Sequence, residues 1–354
     1  MSLPDPPPFV TRDRRSNSCA GAGGAAPVHV SLAAATGGGP ANAVPPAGAA
    51  PNMIAGGVPN MPVGCAIRRE PRPVPNQFGP AYVAERAWLN AAALRPGAMV
   101  AVSSADGGVG RSTLVAALGG LLALASPEPV IAVDMVPAPW NGLGVRVGWQ
   151  NSATVWDAVR ELGSITSRAE VEQWTQRGRT GLLGLVGETE GHQRRPPRPE
   201  EAAAVADRVR ALFGLTLCDL PPAVTTAVWW SLAVATVPVL VARASTDSLR
   251  HTLRLLTCLA AAGYARTVRD CVVVMMSVAP SVPRQVRAVA QQVGDTAGAM
   301  VTVPYDPRLA VPEPIDARLL RRRTRNALVL VADAVLHRCA AERPLSVSST
   351  EGRA

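Results

Sequence analysis

The stretch "MVAVSSADGGVGRSTLVAALGG", residues 99–120, decides the fold. It opens on a short apolar run, passes through a loop holding Gly107, Gly108 and Gly110, and continues into a segment dominated by Ala and Leu. Strand, glycine-rich loop and helix in that order make a cradle for phosphate. The glycines let successive backbone N–H groups converge, and the positive end of a helix beginning near Arg111 adds to the field. In such a cradle the Ser112 hydroxyl goes to Mg²⁺ and Thr113 reaches the α-phosphate. The plainer alternative is a tight glycine turn capped by Ser112. One feature is out of pattern: the loop holds no lysine, and Arg111 is its only cation.

Outward from this stretch, short apolar runs alternate with amphipathic ones. Strands are expected at 98–103, 129–133, 181–186, 214–218, 237–242, 270–276 and 299–303. Helices are expected at 111–125, 153–162, 168–176, 199–212, 223–234, 246–262 and 283–293, with a long last helix at 316–340. Continuous apolar strands are those covered on both faces. The alternation therefore predicts an α/β fold, a doubly wound, mostly parallel sheet with helices on both faces. A further helix is expected at 80–94, "PAYVAERAWLNAAAL". Residues 222–242 are uncharged and long enough to span a bilayer. Pro238 and the β-branched "VPVLVA" fit a buried helix followed by a buried strand equally well.

The ends differ from the middle. Residues 1–80 carry almost half of the 33 prolines, with glycine and alanine runs and no apolar periodicity. Such a segment cannot bury enough surface to offset its ordering entropy. The expected organisation is a disordered Pro/Gly/Ala-rich region at 1–80, a folded domain at 81–342 and a disordered tail at 343–354. The formal net charge of +9 comes from 35 basic residues, every one an arginine. That composition makes arginine in place of lysine weak evidence of altered function, and it permits contact with nucleic acid or anionic lipid. The six cysteines and four histidines are dispersed, with no zinc-ligand spacing. The N-terminus has no apolar signal-peptide core, and a cytoplasmic location is expected.

The loop resembles the deviant Walker A motif of MinD/ParA-type ATPases, Lys-Gly-Gly-x-Gly-Lys-Thr/Ser. Gly107, Gly108, Val109, Gly110, Arg111 and Ser112 stand in its positions. Three further motifs follow in the family's order. "VIAVDMVPAPWNGLG" is similar to the Asp-x-Asp-Pro switch, with Asp134 and Pro137. "LTLCDLPPAV" is similar to the Walker B strand, with Asp219, Pro221 and Pro222. "VTVPYDPRL" is similar to the late segment that lines the base, with Pro304, Asp306 and Pro307. The resemblance covers roughly residues 98–338. It is greatest to actinobacterial relatives linked to type VII secretion, which also carry Pro-rich N-terminal tails.

The resemblance implies binding of ATP or ADP with Mg²⁺. Cofactor contacts would come from Gly107, Gly108, Val109, Gly110, Arg111, Ser112, Thr113, Pro304 and Asp306, and metal contacts from Ser112, Asp134 and Asp219. For Asp134 and Asp219 a helix or turn cap is the plainer alternative. It also implies what is missing. The family's first lysine reaches a dimer partner's phosphates; that position is Asp106 here. The second acid of the switch, which orients water, is Val136. The base-reading asparagine is replaced by Met276 in a looser alignment. Phosphoryl transfer is mostly positioning and charge stabilisation, so no catalytic residue is assigned.

The leading expectation is a nucleotide-binding pseudo-ATPase with degraded hydrolytic motifs. It would act as a positioning or scaffold subunit, with type VII secretion as its setting. Two alternatives stay open: an active ATPase working by ATP-gated dimerisation in secretion or partition, and an interaction module that binds no nucleotide. Light scattering with ATP discriminates the first; nucleotide calorimetry discriminates the second. Expected partners are a second copy in a homodimer, a protein bound through the Pro-rich tail, and DNA or an anionic membrane at Arg321, Arg322, Arg323 and Arg325. A solvated helix start explains that arginine cluster equally well.

Overall fold

The computed structural model describes residues 96–136, 142–187 and 198–341. The expected tails at 1–80 and 343–354, the helix at 80–94 and Pro137 of the switch lie outside the described residues.

The chain lays down β1 (Met99–Ser104), α1 (Arg111–Ala125), β2 (Val130–Asp134), α2 (Leu143–Val147), α3 (Val155–Arg160), α4 (Arg168–Glu172), β3 (Gln176–Arg177) and β4 (Leu183–Leu185). It continues through α5 (Pro199–Arg210), β5 (Leu215–Asp219), α6 (Thr226–Val234), β6 (Val237–Arg243), α7 (Thr246–Ala261), α8 (Ala265–Asp270), β7 (Val272–Met276), α9 (Arg284–Thr296) and β8 (Ala299–Val303). α10 (Pro307–Ala310), a 3₁₀ turn (Ala317–Leu319) and α11 (Arg322–Ala341) close it.

The strands form one sheet in the order β3-β4-β2-β5-β1-β6-β7-β8. Every pairing is parallel except β3 with β4. From β1 the chain crosses β5 to reach β2 on one side, and it later fills the other side with β6, β7 and β8. The C-terminal end of β1 therefore faces the switch point, where doubly wound sheets hold ligands.

Period-2 alternation sends β1 side chains to both faces. Val100 and Val102 pack with Leu114 and Leu118 of α1 and with Leu328, Val331 and Val335 of α11. Met99 and Ala101 pack with Leu232 of α6 and Leu256 of α7. A third cluster joins Ile131 and Val133 of β2 to Ala158, Val205, Val209 and Phe213. From Leu114 to Ala125, α1 carries no polar side chain. A helix apolar all round must be covered all round, and α1 contacts β1, β2, β5, α2 and α11.

The structure corrects the sequence expectation at several points. The helix expected at 168–176 ends at Glu172, and residues 176–177 form the antiparallel edge strand β3. The last helix does not run unbroken from 316: the 3₁₀ turn ends at Leu320, whose backbone is extended, and α11 begins at Arg322. Residues 222–242 divide into α6 and β6. Among the described residues no helix is long and apolar enough to cross a membrane.

Candidate nucleotide site

Ser103 and Ser104, at the end of β1, fix the root of the loop. The Ser103 hydroxyl donates to the Pro221 carbonyl at 2.6 Å, and the Ser104 hydroxyl donates to the Asp106 carbonyl at 2.5 Å. Val109 is buried in the core while Gly107 and Gly108 on its flank are exposed. The loop is thus pinned through one apolar side chain and presents backbone to solvent. Gly108 (φ +67°) and Gly110 (φ +99°) adopt left-handed backbone that side-chain-bearing residues rarely take. Gly110 is also the N-cap of the 15-residue α1, and no side chain caps that helix start. The amide end of a long helix therefore meets the loop, an arrangement suited to an anion.

Three side chains from the far half of the chain surround the loop. The Asp106 carboxylate lies 2.7 Å from the Nδ1 of His251 on α7. Arg243, at the end of β6, donates through Nη2 to the Gly108 carbonyl at 2.8 Å. The Met276 side chain, at the end of β7, lies 3.6 Å from where a Cβ on Gly110 would stand. Met276 is buried, so it serves as packing beneath the loop.

Asp134 and Asp219 end β2 and β5 as direct partners in register. Their exposures are 2% and 0%. Both Asp134 oxygens accept backbone N–H groups: Oδ1 from Val136 at 3.0 Å and Oδ2 from Gly187 at 3.1 Å. Arg111 turns toward this pair. Its Nη1 donates to the carbonyl of Leu220, the residue after Asp219, at 2.7 Å. Burial pulls the Arg111 pKa down from the ordinary guanidinium value, while the charges of Asp219 and then Asp134 push it back up. A guanidinium remains protonated through such shifts.

The arrangement does not fit a Mg²⁺ ion held by Ser112, Asp134 and Asp219. Mg²⁺ demands near-octahedral oxygen ligation. Here a permanent cation lies against both carboxylates, and one carboxylate is committed to backbone N–H groups.

The late segment does a different job. Asp306 is 2% exposed and caps α10, accepting the Arg308 N–H at 3.1 Å on Oδ1. Its Oδ2 accepts the Arg321 N–H at 2.8 Å. β8, which leads into Pro304 and Asp306, stands two strands beyond β6, the neighbour of β1. In the basic cluster, Arg321, Arg322 and Arg323 are exposed. Arg325 instead spends its Nη1 on the carbonyls of Arg318 and Leu320, both at 2.8 Å.

The structure thus brings Gly107–Thr113, Asp134 and Asp219 together and sets Asp306 apart as a cap. Sequence reasoning missed Arg243, His251 and Gly187. Gly187 leaves a trace only in three dimensions: a Cβ there would stand 2.7 Å from the Asp134 carboxylate. Arg243 closes a predicted strand, and ends of central strands are where ligands sit.

No family model matches the chain. Among curated proteins, the chain is 28% identical over 230 residues to the ESX-1 secretion-associated protein EspI of Mycobacterium tuberculosis, in strains CDC 1551 / Oshkosh and ATCC 25618 / H37Rv. The match covers 62% of this chain and 34% of EspI, so the chain spans about a third of its curated relatives. Among solved structures it is similar to a ParA family ATPase from Chlorobium tepidum TLS, with TM-score 0.55 and 15% identity, covering 67% of this chain and 98% of that one. It is also similar to the MinC:MinD cell division protein complex of Aquifex aeolicus, with TM-score 0.50 and 17% identity, covering 70% and 97%. The parallel sheet, its strand order around β1 and the glycine loop at the switch point agree with these likenesses: the chain has the fold of the ParA/MinD P-loop ATPases.

Proposed function

We propose that this chain binds a nucleoside di- or triphosphate at Gly107–Thr113 without hydrolysing it, and works as a positioning or scaffold subunit of a type VII secretion apparatus. The observation that carries the reading is the state of the loop. Its backbone is set for an anion and open to solvent, yet Asp106 holds a carboxylate paired to His251 of the same chain. Val136 offers no group to orient water. The likeness to EspI, a secretion-associated protein by name, supports the setting. Exposed Arg321, Arg322 and Arg323 offer a cationic approach for DNA or anionic lipid. The Pro-rich tail offers a tether for a protein partner. The proposed location is cytoplasmic, peripheral to the membrane.

The test pairs nucleotide calorimetry with phosphate release on the full chain. Binding of ADP and ATP without turnover above the protein-free rate is expected. Sustained turnover abolished by Arg111→Ala would overturn the reading, and so would an absence of binding.

A further inference from the structure

We infer that Arg111 is the resident cation of this site: its guanidinium stands in for a divalent ion between Asp134 and Asp219, and the loop takes a nucleotide's phosphates without Mg²⁺. The nucleotide half of this inference rests on the function proposed above; the cation half does not.

The geometry carries it. Asp134 and Asp219 are neighbours in register at the ends of two central strands, both buried. Two carboxylates at such a place require a positive charge. Arg111 begins α1, directly after the loop, and its Nη1 is 2.7 Å from the carbonyl of the residue following Asp219. That bond fixes the guanidinium on the carboxylate side of the loop. The carboxylates in turn raise its pKa against the cost of burial.

A guanidinium cannot be deprotonated under ordinary conditions, so the positive charge is permanent. A divalent ion entering here would meet a like charge. It would also have to compete with the backbone N–H groups of Val136 and Gly187 for Asp134. Nothing in the arrangement opposes an anion. A guanidinium has five N–H donors in a fork suited to phosphate, and the bond to Leu220 uses a fraction of that capacity. The helix start and the loop amides supply the rest.

The test has two arms, both on the full chain. In the first, ADP and ATP are titrated by calorimetry in excess EDTA and again in excess Mg²⁺. Dissociation constants that agree within about threefold are expected. A gain of about tenfold or more with Mg²⁺ overturns the inference while leaving nucleotide binding intact. In the second arm no nucleotide is present. Mn²⁺ is titrated into wild type, Arg111→Gln and Arg111→Ala, and free Mn²⁺ is read by electron paramagnetic resonance. Wild type should leave the signal at its protein-free value, and the variants should each take up one ion. Arg111→Gln keeps much of the side chain's bulk, and circular dichroism checks that both variants fold. If nucleotide binds, the first arm decides. If nucleotide binds under neither condition, the functional reading fails, and the second arm decides the cation alone. Mn²⁺ uptake by wild type, or no gain in the variants, then overturns it.

Discussion

Carboxylates in this chain divide by what they hold. Asp306 accepts two backbone N–H groups from residues fifteen positions apart, so it fixes the loop between α10 and α11. Asp316 holds Arg318 through a paired contact, with Nε donating to Oδ1 at 2.9 Å and Nη2 to Oδ2 at 2.8 Å, while the Arg318 N–H also donates to Oδ1. The side-chain bonds from Arg318, then the backbone bond and the positive charge, hold the Asp316 pKa below the usual carboxylate value despite partial burial. The unfolded chain therefore binds a proton at Asp316 at a higher pH than the folded one. Its stabilisation is complete above the unfolded value of about 4 and is lost as pH falls through the lower folded value. Asp316→Asn should lower the thermal midpoint at pH 7. The gap to wild type should close as pH is taken below about 4. A gap that stays constant across that range would show that the ion pair carries no such linkage.

At the scale of elements, α1 is the piece most dependent on its surroundings. Leu118 is fully buried among β-strand residues and α11. Leu118→Ala should cost about 2–5 kcal/mol in denaturant unfolding, because close-packed neighbours relax only partly into the cavity. A loss below about 1 kcal/mol would show that the α1 seam repacks freely. α1 was also readable from sequence, as were the seven longer strands, because continuous apolar runs bounded by glycine, proline and acids have few other solutions. β3 was not. Its Gln176 is polar yet fully buried, and it is placed by distant partners: its Oε1 accepts the N–H groups of Gln150 and Asn151, and its Nε2 donates to the carbonyls of Asn151 and Ala153. The break before α11 was hidden for the same reason. The apolar stripe runs through it, and what stops the helix is Asp306 taking the Arg321 N–H. The candidate site shows the same division. The glycine loop and the two strand-end acids are local patterns, whereas Arg243 and His251 reach the loop across 135 and 145 residues of sequence. Strand order alone brings them there, and a parallel sheet leaves no record of its strand order in any one segment.

At the scale of the whole molecule, the sign of charge at the loop bears on assembly. In the family this loop resembles, a cation at the position of Asp106 would complete a partner's phosphate site. Here the residue is an acid, and its charge is turned inward onto His251 of its own chain at 2.7 Å. Two such chains meeting loop to loop would bring Asp106 toward a partner's phosphates, and like charges at close range oppose association even at high dielectric. Arg111 cannot serve in its place, because its guanidinium is spent within its own chain on Leu220 and the buried carboxylates. Nucleotide should therefore leave the oligomeric state unchanged. Light scattering behind size exclusion should give the same mass with ATP, with ADP and without nucleotide. Asp106→Lys, which restores the sign while removing the pair with His251, is the informative variant. A larger mass with ATP in that variant alone would place the block at residue 106. A larger mass with ATP in the wild type would mean that another cation crosses the interface, and the scaffold reading would give way to an ATP-gated one.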